Sequence, residues 1–378
     1  MLSSSKKVDG STDIVQELGP FPIDMALNHG TWASEACLEV MRRYNSNTSF
    51  RIYPTVDNND LRQAIAKDCG VKVEHVFVAN GSGPLLKTCI PHIVEKKIKS
   101  SYRRMAKHIL NKDGYPLTTP RLTYSKVPAG AMRLGMKVNL LPLRPDDNFK
   151  LDLNMVDEEL GRNDGMFYVV NPNNPTGNVM VTREQLLPLI KKYPESTFVV
   201  DEAYVQYIDP ARHQYFSDLV NDHPNLMVMR SFSFAYGLAA ARIGYVLANK
   251  ELIAEFEAKL TPHRVGQISA ELAMVSMADP SHLKFVQTEI ARQRDFLIGE
   301  FKKYQGIQVF DSEVNYFLCR ILDGRKAKDI SARFLAQGMK IKTFDNLPNE
   351  NYDDYFRITV GVEAENRFMA DRLDVILR

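Results

Sequence analysis

Three apolar runs that do not alternate constrain this chain most. They are residues 166–170 (MFYVV), 197–204 (TFVVDEAY) and 226–230 (LMVMR). A strand with one wet face alternates polar and apolar positions. A continuous run is the pattern of a strand covered on both faces, as in a parallel sheet flanked by helices. Further strand candidates are 76–79 (VFVA), 137–143 (KVNLLPL) and 243–248 (IGYVLA). Helical spacing predicts helices at 34–44, 60–69, 84–94 and 182–193. Asn59 is placed to cap the second of these and Gly70 to stop it. Strand, glycine-bearing turn and helix in succession is the repeating unit of an α/β fold.

Beyond residue 250 the pattern changes. A long helical stretch, about 266–305, is followed by a strand at 314–320, a helix at 328–338, a strand at 355–361 and a last helix at 363–377. That order predicts a smaller α+β domain. At 378 residues and 44% apolar composition the chain is long enough for two cores. The expected division is an arm at 1–40 that joins the small domain, a large domain at 41–255 and a small domain at 256–378.

Charge and cysteine usage narrow the partners. Lys plus Arg number 48 and Asp plus Glu 46, interspersed, for a formal charge of +2. No field of one sign argues for nucleic acid. The basic run at 96–107 (KKIKSSYRRMAK) reads as solvated helix faces. Four separated cysteines without ligand spacing fit a reducing cytoplasm, with neither a disulfide framework nor a metal site. The first residues lack the apolar segment of a secretory signal, and no run is long enough to span a membrane. A small-molecule partner is expected, with no membrane or nucleic acid.

Several polar loops follow strands. Residues 80–83 (NGSG) suit a tight turn, or an anion held against a helix N-terminus. Residues 171–177 (NPNNPTG) hold too many turn formers for regular structure. In 229–245 (MRSFSFAYGLAAARIGY), Ser231, Ser233 and Arg242 could surround a phosphate or simply cap a loop. Asp201 ends an apolar strand, where a carboxylate needs a partner. A satisfied core acid and an acid holding a protonated ring nitrogen both remain open.

Taken in order, NPNNPTG at 171–177, VVDEAY at 199–204, RSFSFAYGLAAARIGY at 230–245 and FRITVG at 356–361 resemble the class I/II aminotransferases of pyridoxal-phosphate fold type I, the histidinol-phosphate aminotransferases in particular. The resemblance spans roughly residues 25–378. It implies a three-layer large domain on a mostly parallel sheet, a smaller α+β domain, and a homodimer acting on an amino acid or related carboxylate. Residue by residue, it implies that Asp201 pairs with the pyridine nitrogen and that Asn174 and Tyr204 meet the phenolic oxygen. Tyr124 would stack on the ring. Ser82, Gly83, Ser231, Ser233 and Arg242 would cradle the phosphate, with Tyr53 reaching it from a neighbouring subunit. Arg357 would clamp a substrate carboxylate, with Asn315 nearby.

Two departures stand out. Residues 26–34 (ALNHGTWAS) replace a more usual Asn-Glu-Asn-Pro type of segment, so His29 and Trp32 could line an altered wall. More consequentially, the family's Ser-x-Ser-Lys is Ser231-Phe232-Ser233-Phe234 here. The missing lysine is the covalent anchor and the proton-transfer group. Phenylalanine supplies neither. Non-covalent pyridoxal or pyridoxamine phosphate, with Lys126 as substitute base and Tyr53, Tyr204, Tyr236 and His29 behind it, is one reading. A retired homologue that serves as a binding or scaffold protein is another. A pocket reused without the cofactor is a third, and an introduced phenylalanine a fourth.

Overall fold

A computed structural model describes residues 23–44, 51, 53–55, 57–110, 114–259, 265–344 and 352–378. Most of the expected N-terminal arm, residues 1–22, lies outside them. The chain divides into two compact units, His29–Thr288 and Met1–Asn28 with Glu289–Arg378. These limits differ from the division at 40 and 255 read from the sequence.

The smaller unit holds strands β1 (Ile23–Asp24), β9 (Ile307–Val309), β10 (Tyr316–Ile321), β11 (Met339–Lys340), β12 (Lys342–Thr343) and β13 (Tyr355–Thr359). β1 pairs in parallel with β11. The other four form an antiparallel sheet in the order β12-β13-β10-β9.

The larger unit carries a seven-stranded sheet. Its strands are β2 (Val76–Ala79), β3 (Leu117–Pro120), β4 (Val138–Leu141), β5 (Met166–Val170), β6 (Thr197–Asp201), β7 (Leu226–Ser231) and β8 (Gly244–Leu247). Their order is β2-β8-β7-β6-β5-β3-β4. All run parallel except β8, which is antiparallel to both neighbours. The carboxyl ends of β2, β7, β6, β5, β3 and β4 therefore share one edge. That edge is where open α/β sheets bind ligands. β5, β6 and β7 are buried at every residue, as their unbroken apolar runs require.

The helices are α1 (Glu35–Arg43), α2 (Asn59–Cys69), α3 (Ser82–Lys99), α4 (Tyr102–Ile109), α5 (Lys126–Arg133), α6 (Leu153–Arg162), α7 (Arg183–Lys192), α8 (Lys250–Lys259), α9 (Gln267–Met277), α10 (Pro280–Phe301), α11 (Ala327–Ala336), α12 (Glu363–Ala370) and α13 (Leu373–Leu377). Local chemistry sets several ends. Ser34 accepts from the Ala36 amide to open α1. Thr182 and Gln185 form a reciprocal capping box on α7. Gly70, at φ 67°, stops α2 as expected. The cap of α2 is Asn58 rather than Asn59, and its side chain does not bond the helix. It serves the chain instead, donating to the Val265 carbonyl at 2.9 Å.

The stretch 266–305 is two helices, because Ala278 ends α9 and Pro280 opens α10. Val265, Ala270 and Ala273 sit in one core with Leu61, Ile65 and Phe232. That burial ties α9 to the larger unit and moves the division past the expected residue 255. The last helix is also two, α12 and α13, with Asp371 and Arg372 between them.

Candidate active site

β6 delivers Asp201 to the binding edge, opposite Val170 of β5 and Met229 of β7. The carboxylate is buried and accepts from the Tyr168 hydroxyl at 2.8 Å and from the Ala203 amide at 3.2 Å. Burial pulls its pKa up to about 6, against the opposing pull of those two donors; the neighbouring Glu202 pushes the same way as burial. Tyr168 is itself held well above the ordinary phenol range by burial and by Asp201. It lies two residues before the Val170 partner, which is the diagonal position across parallel strands. Sequence reading missed Tyr168, since only strand register brings it to Asp201.

The loop after β5 is fixed from within. Asn171 spans it, donating to the Val181 carbonyl and accepting from the Met180 amide. Asn173 ties it to the loop after β3, accepting from Thr123 and donating to the Leu122 carbonyl, each at 2.8 Å. Asn174 then donates to the Tyr204 hydroxyl at 3.1 Å. Tyr124 follows on the β3 loop, half-buried, with its pKa raised by burial and by Asp201. The ammonium of exposed Lys126 stands over the Tyr124 ring, 5.9 Å from its centre.

Residue 234 meets this group directly. The Phe234 ring stacks on the Tyr204 ring, with centroids 4.2 Å apart and planes inclined by 24°. Before it, Ser231 closes β7 and its hydroxyl accepts from the Ser233 amide at 3.1 Å. Both serines are buried.

The strand–turn–helix at β2 completes the edge. Gly81 has φ 86°, and a Cβ added there would lie 2.6 Å from the Arg242 guanidinium. The glycine is therefore what lets the exposed Arg242 lie against the turn. A Cβ added at Gly83 would meet nothing within 4 Å. Ser82 and Gly83 form the first turn of α3, whose unpaired N–H groups suit an anion.

The two segments that the resemblance sets apart touch. A Cβ added at Gly30 would fall 1.9 Å from the Phe234 carbonyl oxygen. The Gly30 amide donates to the Ser233 carbonyl at 3.4 Å. The segment bearing His29 and Trp32 thus lies on the Phe234 loop. His29 is exposed. Tyr53 is 84% exposed. Tyr236 is buried against Phe232, and burial drives its pKa above the range where it could act as a base at neutral pH.

Arg357 and Asn315 belong to the smaller unit. Arg357, in β13 and buried, donates to the Ala26 carbonyl, with its guanidinium 5.0 Å from the Tyr316 ring centre. Asn315 donates to the Asn28 carbonyl at 3.1 Å. Among the described residues no group of His, Cys, Asp and Glu could hold a metal ion, and all four cysteines are buried thiols. No helix among them is long and apolar enough to cross a membrane.

Comparison with known proteins identifies the fold and the family. A histidinol-phosphate aminotransferase from Ruminiclostridium cellulolyticum is 26% identical over 327 residues, covering 86% of this chain and 84% of the relative. One from an Anaeromyxobacter strain is 29% identical over 350 residues, covering 92% and 85%. Among solved structures, the histidinol-phosphate aminotransferase from Sinorhizobium meliloti in complex with pyridoxal-5'-phosphate superposes with a TM-score of 0.80. It shares 23% identity, with 99% of this chain and 96% of that one covered, a likeness of fold. The family described as aminotransferase class I and II matches residues 24–373, and the chain belongs to that family.

Proposed function

We propose that the protein binds pyridoxal or pyridoxamine phosphate without a covalent tether and acts on an amino acid or related carboxylate by a route independent of lysine at position 234. One observation carries the reading. Asp201 is a buried carboxylate with two donors and a pKa raised by burial. A protonated ring nitrogen would offset that desolvation.

The other groups fit the same occupant. The open space at Gly83, the guanidinium at Gly81 and the free end of α3 suit a phosphate. Asn174 and the Tyr204 hydroxyl suit a phenolic oxygen, and Tyr124 offers a ring face beside Asp201. Position 234 does not fit a covalent anchor, since its side chain has no amine. A bound pyridoxal-type ring would supply an electron sink for cleavage at the substrate Cα. Asp201 would keep the ring nitrogen protonated and Tyr204 would orient the ring. Lys126, whose ammonium stands 5.9 Å from the Tyr124 ring centre, is the residue we assign to proton transfer in place of the missing lysine. Arg357 is assigned to a substrate carboxylate, and exposed Tyr53 to the phosphate of a second copy in a homodimer.

The stack of Phe234 on Tyr204 favours a second reading as well, in which the ring fills the lysine's volume and the protein binds without turning over. Titration with pyridoxal phosphate and pyridoxamine phosphate, followed by addition of amino acids, separates the two. Binding with product formation supports the first reading and binding without product the second. If neither cofactor binds, both are lost.

A further inference from the structure

Two buried charges lie on the reverse face of the strand ends that carry the candidate site. Side chains alternate between the faces of a strand, so Asp201 and Glu202 point opposite ways, as do Arg230 and Ser231. On the near face Asp201 sits opposite Met229, and Ser231 follows two residues later on the same strand. On the far face Glu202 meets Arg230. Their side chains are 0% and 2% exposed, and Arg230 Nε donates to the Glu202 carboxylate at 2.8 Å.

The pair is held from several sides. The Glu202 amide donates to the Met229 carbonyl at 2.8 Å, which carries the pairing of β6 with β7 one residue past Asp201. The other Glu202 carboxylate oxygen accepts from the Phe216 amide at 2.8 Å. Arg230 donates to the sulfur of Cys69, the last residue of α2, at 3.4 Å. Its guanidinium also stands 4.8 Å from the Tyr215 ring centre. One ion pair therefore joins the ends of β6 and β7 to the segment 215–216 and to α2.

Stability alone does not require charges here. The attraction of two enclosed ions roughly offsets their desolvation, and an apolar pair of equal volume often holds a core as well. What a guanidinium–carboxylate pair adds is direction. Its planar donors fix the partner in distance and angle, whereas apolar side chains slide past one another. The strand ends fixed in this way carry Asp201, assigned above to a ring nitrogen, and Ser231, which the resemblance sets at the phosphate. Ser231 also accepts from the Ser233 amide at 3.1 Å, and so begins the loop that leads to Phe234. A rigid ligand gripped at two points gains from the second grip only when the two are correctly spaced.

We propose that Glu202 and Arg230 are positioning residues, whose buried ion pair sets the spacing of Asp201 and Ser231 for a ligand that joins an aromatic nitrogen to a phosphate. This rests on the pyridoxal-type occupant proposed above, and adds that its grip is set from the far side of the sheet. Neither residue is assigned a contact with the ligand; both act through the strand ends.

The test uses the full chain and the double variant Arg230→Met with Glu202→Leu, in which no charge is stranded. Thermal unfolding is compared with calorimetric affinity for pyridoxamine phosphate, and for its separate parts, pyridoxamine and inorganic phosphate. The double variant should recover much of the stability that Arg230→Met loses alone. It should still bind pyridoxamine phosphate about tenfold more weakly than the wild type, or worse. Affinity for each separate part should be unchanged, because either grip is intact and only their spacing has altered. A purely structural pair would instead let affinity recover together with stability, and that result overturns the proposal. So does an equal loss for inorganic phosphate or pyridoxamine alone, which would mean a single damaged grip. Should the double variant not fold, Arg230→Lys, which keeps the charge and gives up the planar fork, is judged by the same comparison. Failure of the wild type to bind pyridoxamine phosphate removes the pyridoxal reading and this proposal together. Tight binding by both wild type and variant removes this proposal and leaves that reading standing.

Discussion

Phe234 lies against Tyr204 with ring centroids 4.2 Å apart, and the Tyr204 hydroxyl is held by Asn174. The residue that the resemblance sets at the lysine position is thus packed onto a side chain that the same resemblance assigns to the cofactor. A ring pair of this kind adds about 0.5–1.5 kcal/mol beyond its buried area. Substitution at 234 therefore touches both stability and the site.

Phe234→Lys should separate the two effects. Without cofactor, the variant loses the stack and should unfold about one to two degrees lower, consistent with a loss of about 1 kcal/mol. With pyridoxal phosphate and borohydride it should gain one covalent pyridoxyl group at residue 234, read by peptide mass. The wild type should gain none there. Labelling elsewhere only would show that residue 234 does not face the cofactor.

Asp201 sets a pH dependence. Its folded pKa, about 6, lies above the ordinary carboxylate value of 3.8. The folded state then holds more protons than the unfolded one between those values, so this group's contribution to stability falls as pH rises from about 4 to 6. The size is about 3 kcal/mol, from roughly 1.4 kcal/mol per unit. Asp201→Asn should flatten that segment of the stability profile of the cofactor-free protein, measured by denaturant unfolding. Pyridoxamine phosphate should bind the wild type less tightly as pH falls below about 6, as the carboxylate is neutralised. A profile equally steep in both proteins would remove Asp201 as its source.

The parts of the fold that were legible owe this to local cause. Burial on both faces writes itself into MFYVV at 166–170, so β5 could be placed to the residue. β3 was missed because LTTP at 117–120 carries two threonines and a proline, though all four residues are buried. Its place comes from pairing with β4 and β5, which no local pattern encodes. The same holds at the site. Asp201 announced itself as an acid ending an apolar strand, whereas its donor Tyr168 depends on register. The contact of residue 30 with the Phe234 loop depends on the whole unit.

Tyr204→Phe removes one hydroxyl and keeps the ring. The stack on Phe234 should survive, and the cofactor-free protein should lose about 1 kcal/mol or less with the Asn174 hydrogen bond. Affinity for pyridoxamine phosphate should fall about tenfold, since a hydrogen bond to a charged oxygen is worth roughly 1.5–3 kcal/mol. Calorimetric titration checks this, and an unchanged affinity would place the phenolic oxygen elsewhere.

Behind Asp201 the next residue, Glu202, is fully buried and pairs with Arg230 at 2.8 Å while accepting from the Phe216 amide. Arg230 also donates to the Cys69 sulfur at 3.4 Å and stands 4.8 Å from the Tyr215 ring centre. Removing one partner leaves a buried charge. Arg230→Met should cost roughly 3–5 kcal/mol. Arg230→Met with Glu202→Leu should cost less than the single change, because no charge is stranded. Denaturant midpoints of the two variants decide it, and a double variant less stable than the single would contradict this account.

Gly30→Ala bears at once on both segments that the resemblance sets apart, 26–34 and the loop of Phe234. The added methyl would lie 1.9 Å from the Phe234 carbonyl oxygen and 2.7 Å from the Gly237 Cα. Both are backbone atoms, so a side-chain rotation cannot relieve the contact. Either the segment 28–32 lifts off or the loop 233–237 shifts, and either motion disturbs the stack of Phe234 on Tyr204. The expected loss is about 3 kcal/mol, the upper part of the range for overpacking. Loop displacement should also weaken binding of pyridoxamine phosphate, whereas a purely local strain would lower the unfolding midpoint and leave affinity intact. Phe234→Ala with Gly30→Ala distinguishes the routes. Because the clash is with backbone, trimming the ring should not rescue stability. If it does, the ring rather than the carbonyl is what residue 30 must avoid.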